Sequence, residues 1–223
     1  MGGMTSAPAP ARPPAALPLR RRSLAVVRTH LRAYLVVNAA AYGLLLVGFV
    51  LGLVVPELQA ARVADLDADG TTAIVSRLVT TPPLFALAIL TVNLVRLSLL
   101  TIVLPSLLVP FGGFALFGYW AVETGITLAP ATPEAWVALV PHALTVVLEL
   151  QAYVLLLLGA YLLGRSWLRP GRVGAADRRA GYAHGVRQLG LLALPALALL
   201  VAGAVWEAYS LRYLVHPLAQ LLL

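Results

Sequence analysis

The stretches of this chain that carry no charged side chain decide its class. Residues 33–55 contain none, and 26 uncharged residues separate Arg96 from Glu123. A helix needs about 20 apolar residues to cross the hydrocarbon core of a bilayer. Of the 223 residues, 61% are hydrophobic and 11% charged. Soluble domains run at about 45–50% apolar and roughly a quarter charged. A mean hydropathy of +0.90 therefore excludes both a soluble globular domain and a disordered chain. The expected fold class is all-α: a polytopic transmembrane helical bundle of about five spans.

The spans are expected near 33–55, 84–104, 106–123, 141–163 and 189–209. A single helix through 84–123 would overshoot any bilayer at about 1.5 Å per residue. A tight turn is therefore expected near Pro105. Pro141 suits the first turn of the fourth span, where a missing N–H does no harm. Pro195 is expected to kink the fifth. Residues 1–30, with Pro8, Pro10, Pro13, Pro14 and Pro18, read as a disordered Pro/Arg-rich tail. Residues 31–223 then form one transmembrane domain. Arg21-Arg22 has a twin-arginine look, but Arg28, His30 and Arg32 interrupt the apolar run that a signal peptide needs.

All 16 basic residues are Arg. In a soluble chain this excess would point to nucleic acid; beside spans it reports topology, because Arg collects on the cytoplasmic side. Six precede the first span: Arg12, Arg20, Arg21, Arg22, Arg28 and Arg32. Six more fall between the fourth and fifth: Arg165, Arg169, Arg172, Arg178, Arg179 and Arg187. Five spans with a cytoplasmic N-terminus put both groups inside and the C-terminus outside. Membrane lipids are the expected surroundings, with no nucleic-acid partner.

Polar residues within spans are expensive and must face partners or a wet cavity. Asn93, Arg96, His142, Glu149 and Glu207 form this set. An Arg96–Glu149 ion pair with Asn93 bonding nearby is the expected arrangement. Two readings follow from it: a structural clamp between helices, or a proton or substrate path. His142 also suits a structural role near the interface. Asp65-Leu66-Asp67-Ala68-Asp69-Gly70 opens like a calcium loop, but Ala73 and Ser76 stand where later ligands belong. It reads as a solvated acidic loop. With no cysteine, no H-E-x-x-H, no G-x-S-x-G and no P-loop, neither a metal site, a cofactor nor an enzyme active site is expected. Gly48-x-x-x-Gly52 marks a close-packing helix face, compatible with a homo-oligomer.

Four patches resemble the stage II sporulation protein M family of bacterial membrane proteins. They are Asn93-Leu94-Val95-Arg96; Gly112-Gly113 to Gly125; Pro141-His142 with Glu149-Leu150-Gln151-Ala152 through Gly159 and Gly164; and Trp206-Glu207-Ala208-Tyr209. In the family a Gly usually follows the His and Glu comes four residues beyond it; here Ala143 follows and Glu149 is seven beyond. The basic residue after Asn93 is displaced by one. The resemblance covers roughly residues 30–217. It implies a five-span, non-enzymatic scaffold of the bacterial cytoplasmic membrane, which in spore formers acts in engulfment and recruits peptidoglycan-degrading partners. On that reading, envelope proteins or peptidoglycan hydrolases would dock on the 56–83 and 165–187 loops. The alternative is a transporter or permease subunit for a lipid or small solute. The two readings separate on one observation: convergence of the polar set on one cavity favours transport, and isolated dry pairs favour a scaffold.

Overall fold

The computed structural model describes residues 19–223, and among them there are helices and no strand. In chain order the helices are α1 (Leu19–Thr29), α2 (Leu31–Val54), α3 (Pro56–Ala68), α4 (Thr71–Leu78) and α5 (Pro82–Leu108). They continue as α6 (Gly112–Leu128), α7 (Pro133–Leu168), α8 (Arg178–Tyr213) and α9 (Val215–Leu222). This is the expected all-α bundle. Among the described residues four helices, α2, α5, α7 and α8, are long and apolar enough to cross a membrane, with mean hydropathies of 2.0 to 2.3. The protein is a multi-span membrane protein.

The fifth expected span is α6, and at 17 residues it is shorter than those four. The difference comes from the turn. Pro105 lies inside α5, which runs unbroken to Leu108, and the chain reverses at Val109–Phe111 instead, with Phe111 in the left-handed region at φ 65°. Val92–Val103 of α5 is a π-helix. Its wider turn, bonded five residues apart, relieves the contact between the Pro105 ring and the carbonyl four residues back. The second expected span therefore lengthens at the expense of the third.

Two other boundaries move outward because caps override hydropathy. α7 starts at Pro133, not Pro141, since Thr132 Oγ1 accepts from Ala135 N at 3.2 Å and Pro133 occupies the first turn. Pro141 sits inside this helix. α8 starts at Arg178, where Asp177 Oδ1 accepts from Ala180 N at 2.7 Å. Of the 1–30 segment expected to be a disordered tail, Leu19–Thr29 is helix α1, and residues 1–18 lie outside the described residues. The 56–83 loop folds into the helix pair α3–α4, so Asp65 and Asp67 are helical and do not form a cation loop. Gly70, at φ 81°, makes the turn. Asp69 Oδ1 accepts from Thr71 N at 2.9 Å. The Thr71 hydroxyl and then its backbone N–H hold the Asp69 carboxyl below its ordinary value, aided by the Arg96 and Arg62 charges.

α7 is the central helix. From Ala152 to Ala160 every residue is buried, as expected of a segment apolar all round. α8 packs antiparallel along it, and small residues set the approach. A methyl on Gly159 would come within 2.6 Å of the Leu189 side chain, and one on Gly185 within 2.6 Å of Ser166 Oγ. α2 and α6 run parallel and cross on Gly48, Gly52 and Gly125: a methyl on Gly52 would meet Ala129 Cβ at 2.6 Å. The G-x-x-x-G face of the first span is thus occupied within the chain. Ser23 of α1 donates to the Leu191 carbonyl of α8 at 2.6 Å. That contact brings α1 beside the first half of α8, so the described arginines of both clusters share one end of the bundle.

Candidate functional site: an intramembrane polar cluster

Four of the five expected polar residues converge. Asn93, His142, Glu149 and Glu207 line one cavity of about 350 Å³ between α4, α5, α7 and α8. Its remaining walls include Thr71 and Ile74 of α4 and Phe85 of α5, so α4 forms one wall of the opening between the longer helices. Glu149 is the seventeenth residue of the 36 in α7, which places it near mid-span. Asn93 is the twelfth of the 27 in α5. Asn93, 7% exposed, donates from Nδ2 to Glu149 Oε1. Gly203 of α8 leaves room for the Glu149 side chain, since a methyl there would stand 3.0 Å from Glu149 Cγ.

Nearer the Pro133 end of α7, His142 Nδ1 lies 3.6 Å from Glu207 Oε1. Trp206 Nε1 donates to the Pro141 carbonyl at 2.8 Å and fixes that part of α8 against α7. His142 and Glu207 also line a second cavity, of about 410 Å³, which reaches the α6–α7 connection at Ala129, Pro130 and Ala131. A third, of about 50 Å³, joins His142 and Glu149 to Tyr153 and Trp120. That space admits water. The hydroxyl of Tyr153, a residue 1% exposed, has no hydrogen-bond partner among the described residues. Polar side chains thus run from one end of the bundle through His142 and Glu207 to Glu149 at mid-span.

Arg96 does not join them. It is exposed, and Glu149 takes its hydrogen bond from Asn93. The expected Arg96–Glu149 pair assumed α-helical phase, in which residues three apart share a face. In the π-helical run the buried positions are instead Asn93, the adjacent pair Leu97 and Ser98, Ile102 and, just beyond it, Ser106, so burial recurs every four to five residues. Ser98 Oγ donates to Asn93 O at 2.9 Å and Thr101 Oγ1 to Arg96 O at 2.8 Å, both five residues back. The wider turn rotates Arg96 away from the face that carries Asn93.

A second polar group occupies the opposite face of α7. Gln151 accepts from Tyr34 Oη at 2.7 Å and donates to Asn38 Oδ1 at 2.7 Å and to Tyr42 Oη at 3.0 Å. Sequence reasoning missed this group. Its signal was present, since Tyr34, Asn38 and Tyr42 recur at four-residue spacing on α2. Among the described residues no cluster of three or more His, Cys, Asp or Glu is arranged to hold a metal ion.

No family model, curated protein or solved structure matches the chain.

Proposed function

We propose that this protein is a membrane transport component that carries protons or a small cationic solute. The observation that carries this reading is the convergence of Asn93, His142, Glu149 and Glu207 on one cavity. Two carboxylates and an imidazole offer exchangeable protons and negative charge, with no fixed cation among the lining residues. Ionisable groups at such depth mark ion pathways and proton relays. The adjoining cavity at Ala129–Ala131 supplies access from one side. The positive-inside bias assigns the arginine-rich end to the cytoplasm, so this access faces outward.

The scaffold implied by the sporulation-protein resemblance would use 56–83 as a docking loop. That segment instead folds back as α3–α4 and helps line the cavity, which weighs for transport. The test is flux into proteoliposomes holding a pH-sensitive dye, under an imposed proton gradient with and without small organic cations. Uptake above protein-free vesicles, lost in Glu149→Gln with the fold intact by circular dichroism, is the expected result. Uptake equal in wild type, Glu149→Gln and empty vesicles would overturn the reading.

A further inference from the structure

A different feature lies at the arginine-rich end. A groove of about 570 Å³ opens between α1, α2, α7 and α8, lined by Leu24, Val27, Tyr34, Leu155, Leu194 and Ala198, with Ser23 and Pro195 completing it. Its polar groups are turned inward to the chain: Ser23 Oγ bonds Leu191 O, and Tyr34 Oη bonds Gln151. What remains toward the opening is aliphatic. Leu24 and Leu194 are about half exposed, at 49% and 48%.

Cationic residues flank the groove residues in sequence. Arg21 and Arg22 precede the groove residues Ser23 and Leu24, Arg28 follows Val27, and Arg32 lies two residues before Tyr34. On α8, Arg187 stands seven residues before Leu194, two turns along the same helix face. All five side chains are exposed, and none makes an ion pair among the described residues. Arginine forks match phosphate geometry, and each basic group near a membrane surface contributes about 1 kcal/mol toward anionic lipid. An aliphatic trough flanked by exposed arginines without ion pairs among the described residues fits a ligand with a phosphate head and a hydrocarbon tail.

We propose that this groove is a binding site for an anionic diacyl phospholipid, with an acyl chain along Leu155, Leu194 and Ala198 and the phosphate held by Arg21, Arg22 and Arg187. The proposal is independent of the transport reading, because the groove shares no lining residue with the acidic cavity.

The test is native mass spectrometry of the full chain released from detergent, titrated with phosphatidylglycerol or phosphatidylcholine. The expected result is one retained phosphatidylglycerol, bound on the order of tenfold more tightly than phosphatidylcholine. Combined Arg21→Gln, Arg22→Gln and Arg187→Gln should abolish the preference. Ala198→Trp, which fills the trough and leaves every arginine in place, should abolish retention. Circular dichroism and gel filtration confirm that each variant is folded; should Ala198→Trp fail this control, Leu194→Phe replaces it. Equal retention of the two lipids overturns the proposal. So does a phosphatidylglycerol preference that survives filling of the trough, which would reflect surface charge alone. Displacement of the lipid by millimolar inorganic phosphate would also overturn it, by assigning the arginines to a soluble anion.

Discussion

Pro195 stands inside α8 and has no N–H to return to the Leu191 carbonyl four residues earlier. Ser23 of α1 supplies the missing donor at 2.6 Å and is itself buried, at 5% exposure. The two residues, 172 positions apart in sequence, are therefore one unit, and a double-mutant cycle should reveal it. Ser23→Ala leaves a carbonyl in apolar surroundings without a partner. Orphaning such a group costs about 1–3 kcal/mol, and interhelical hydrogen bonds in membranes have been worth up to about 1.7. A loss of about 1–2 kcal/mol is expected in the wild-type background. In Pro195→Ala the helix donates its own N–H to Leu191, and Ser23→Ala should then cost less than about 0.5 kcal/mol. The difference, about 1 kcal/mol, corresponds to a roughly fivefold change in the folding constant. Reversible SDS unfolding in mixed micelles, followed by helical circular dichroism, measures all four corners. An equal cost of Ser23→Ala in both backgrounds would refute the coupling.

Other substitutions test the packing and the polar groups. Gly48→Leu or Gly125→Leu should push α2 off α6 and cost upwards of about 2 kcal/mol, whereas Gly43→Ala, with open space at its Cβ, should be neutral or stabilising by about 0.5–1 kcal/mol; the same unfolding assay reads both. Gln151→Leu removes three hydrogen bonds and should cost about 1–3 kcal/mol; a change below about 0.5 would mean that Tyr34, Asn38 and Tyr42 repair themselves. Exchanging the charges of Arg96 and Glu149 should not rescue Glu149→Arg, judged by expression and gel-filtration profile, because the two side chains do not pair. Rescue would restore the α-helical phase that the π-helix excludes.

The fold was legible where the physics is additive. An uncharged run of 23 residues has few solutions other than a span, and counting arginines predicted that both clusters lie at one end. Helix boundaries were less legible, because hydropathy finds the apolar part of a helix while caps fix its ends. Thr132 and Asp177 begin α7 and α8 eight and eleven residues before the expected starts at 141 and 189. The turn at Val109–Phe111 was hidden behind Pro105, a stronger-looking breaker that the π-helix accommodates. At the site, Asn93, His142, Glu149 and Glu207 were readable one by one from the expense of burying them. Their partners were not, since pairing depends on helix phase and no residue type announces a π-helix. The acidic pattern at Asp65–Gly70 misled for a related reason: spacing alone did not reveal that Asp65 and Asp67 end a helix.

The π-helical run from Val92 to Val103 has a mechanical consequence. A segment bonded five residues apart holds more residues per turn, and less length per residue, than one bonded four apart. Twelve residues in that state are a coiled reserve of both length and rotation. Re-pairing them in α register would drive α5 as a screw, extending it and swinging Asn93 around the axis relative to Ser106 without breaking the rod. Asn93 is the hydrogen-bond donor to Glu149, and Ser106 Oγ accepts from Gly113 N at the start of α6. The two ends of the screw are thus fastened to different parts of the bundle, and a change of pairing in one helix would turn one against the other.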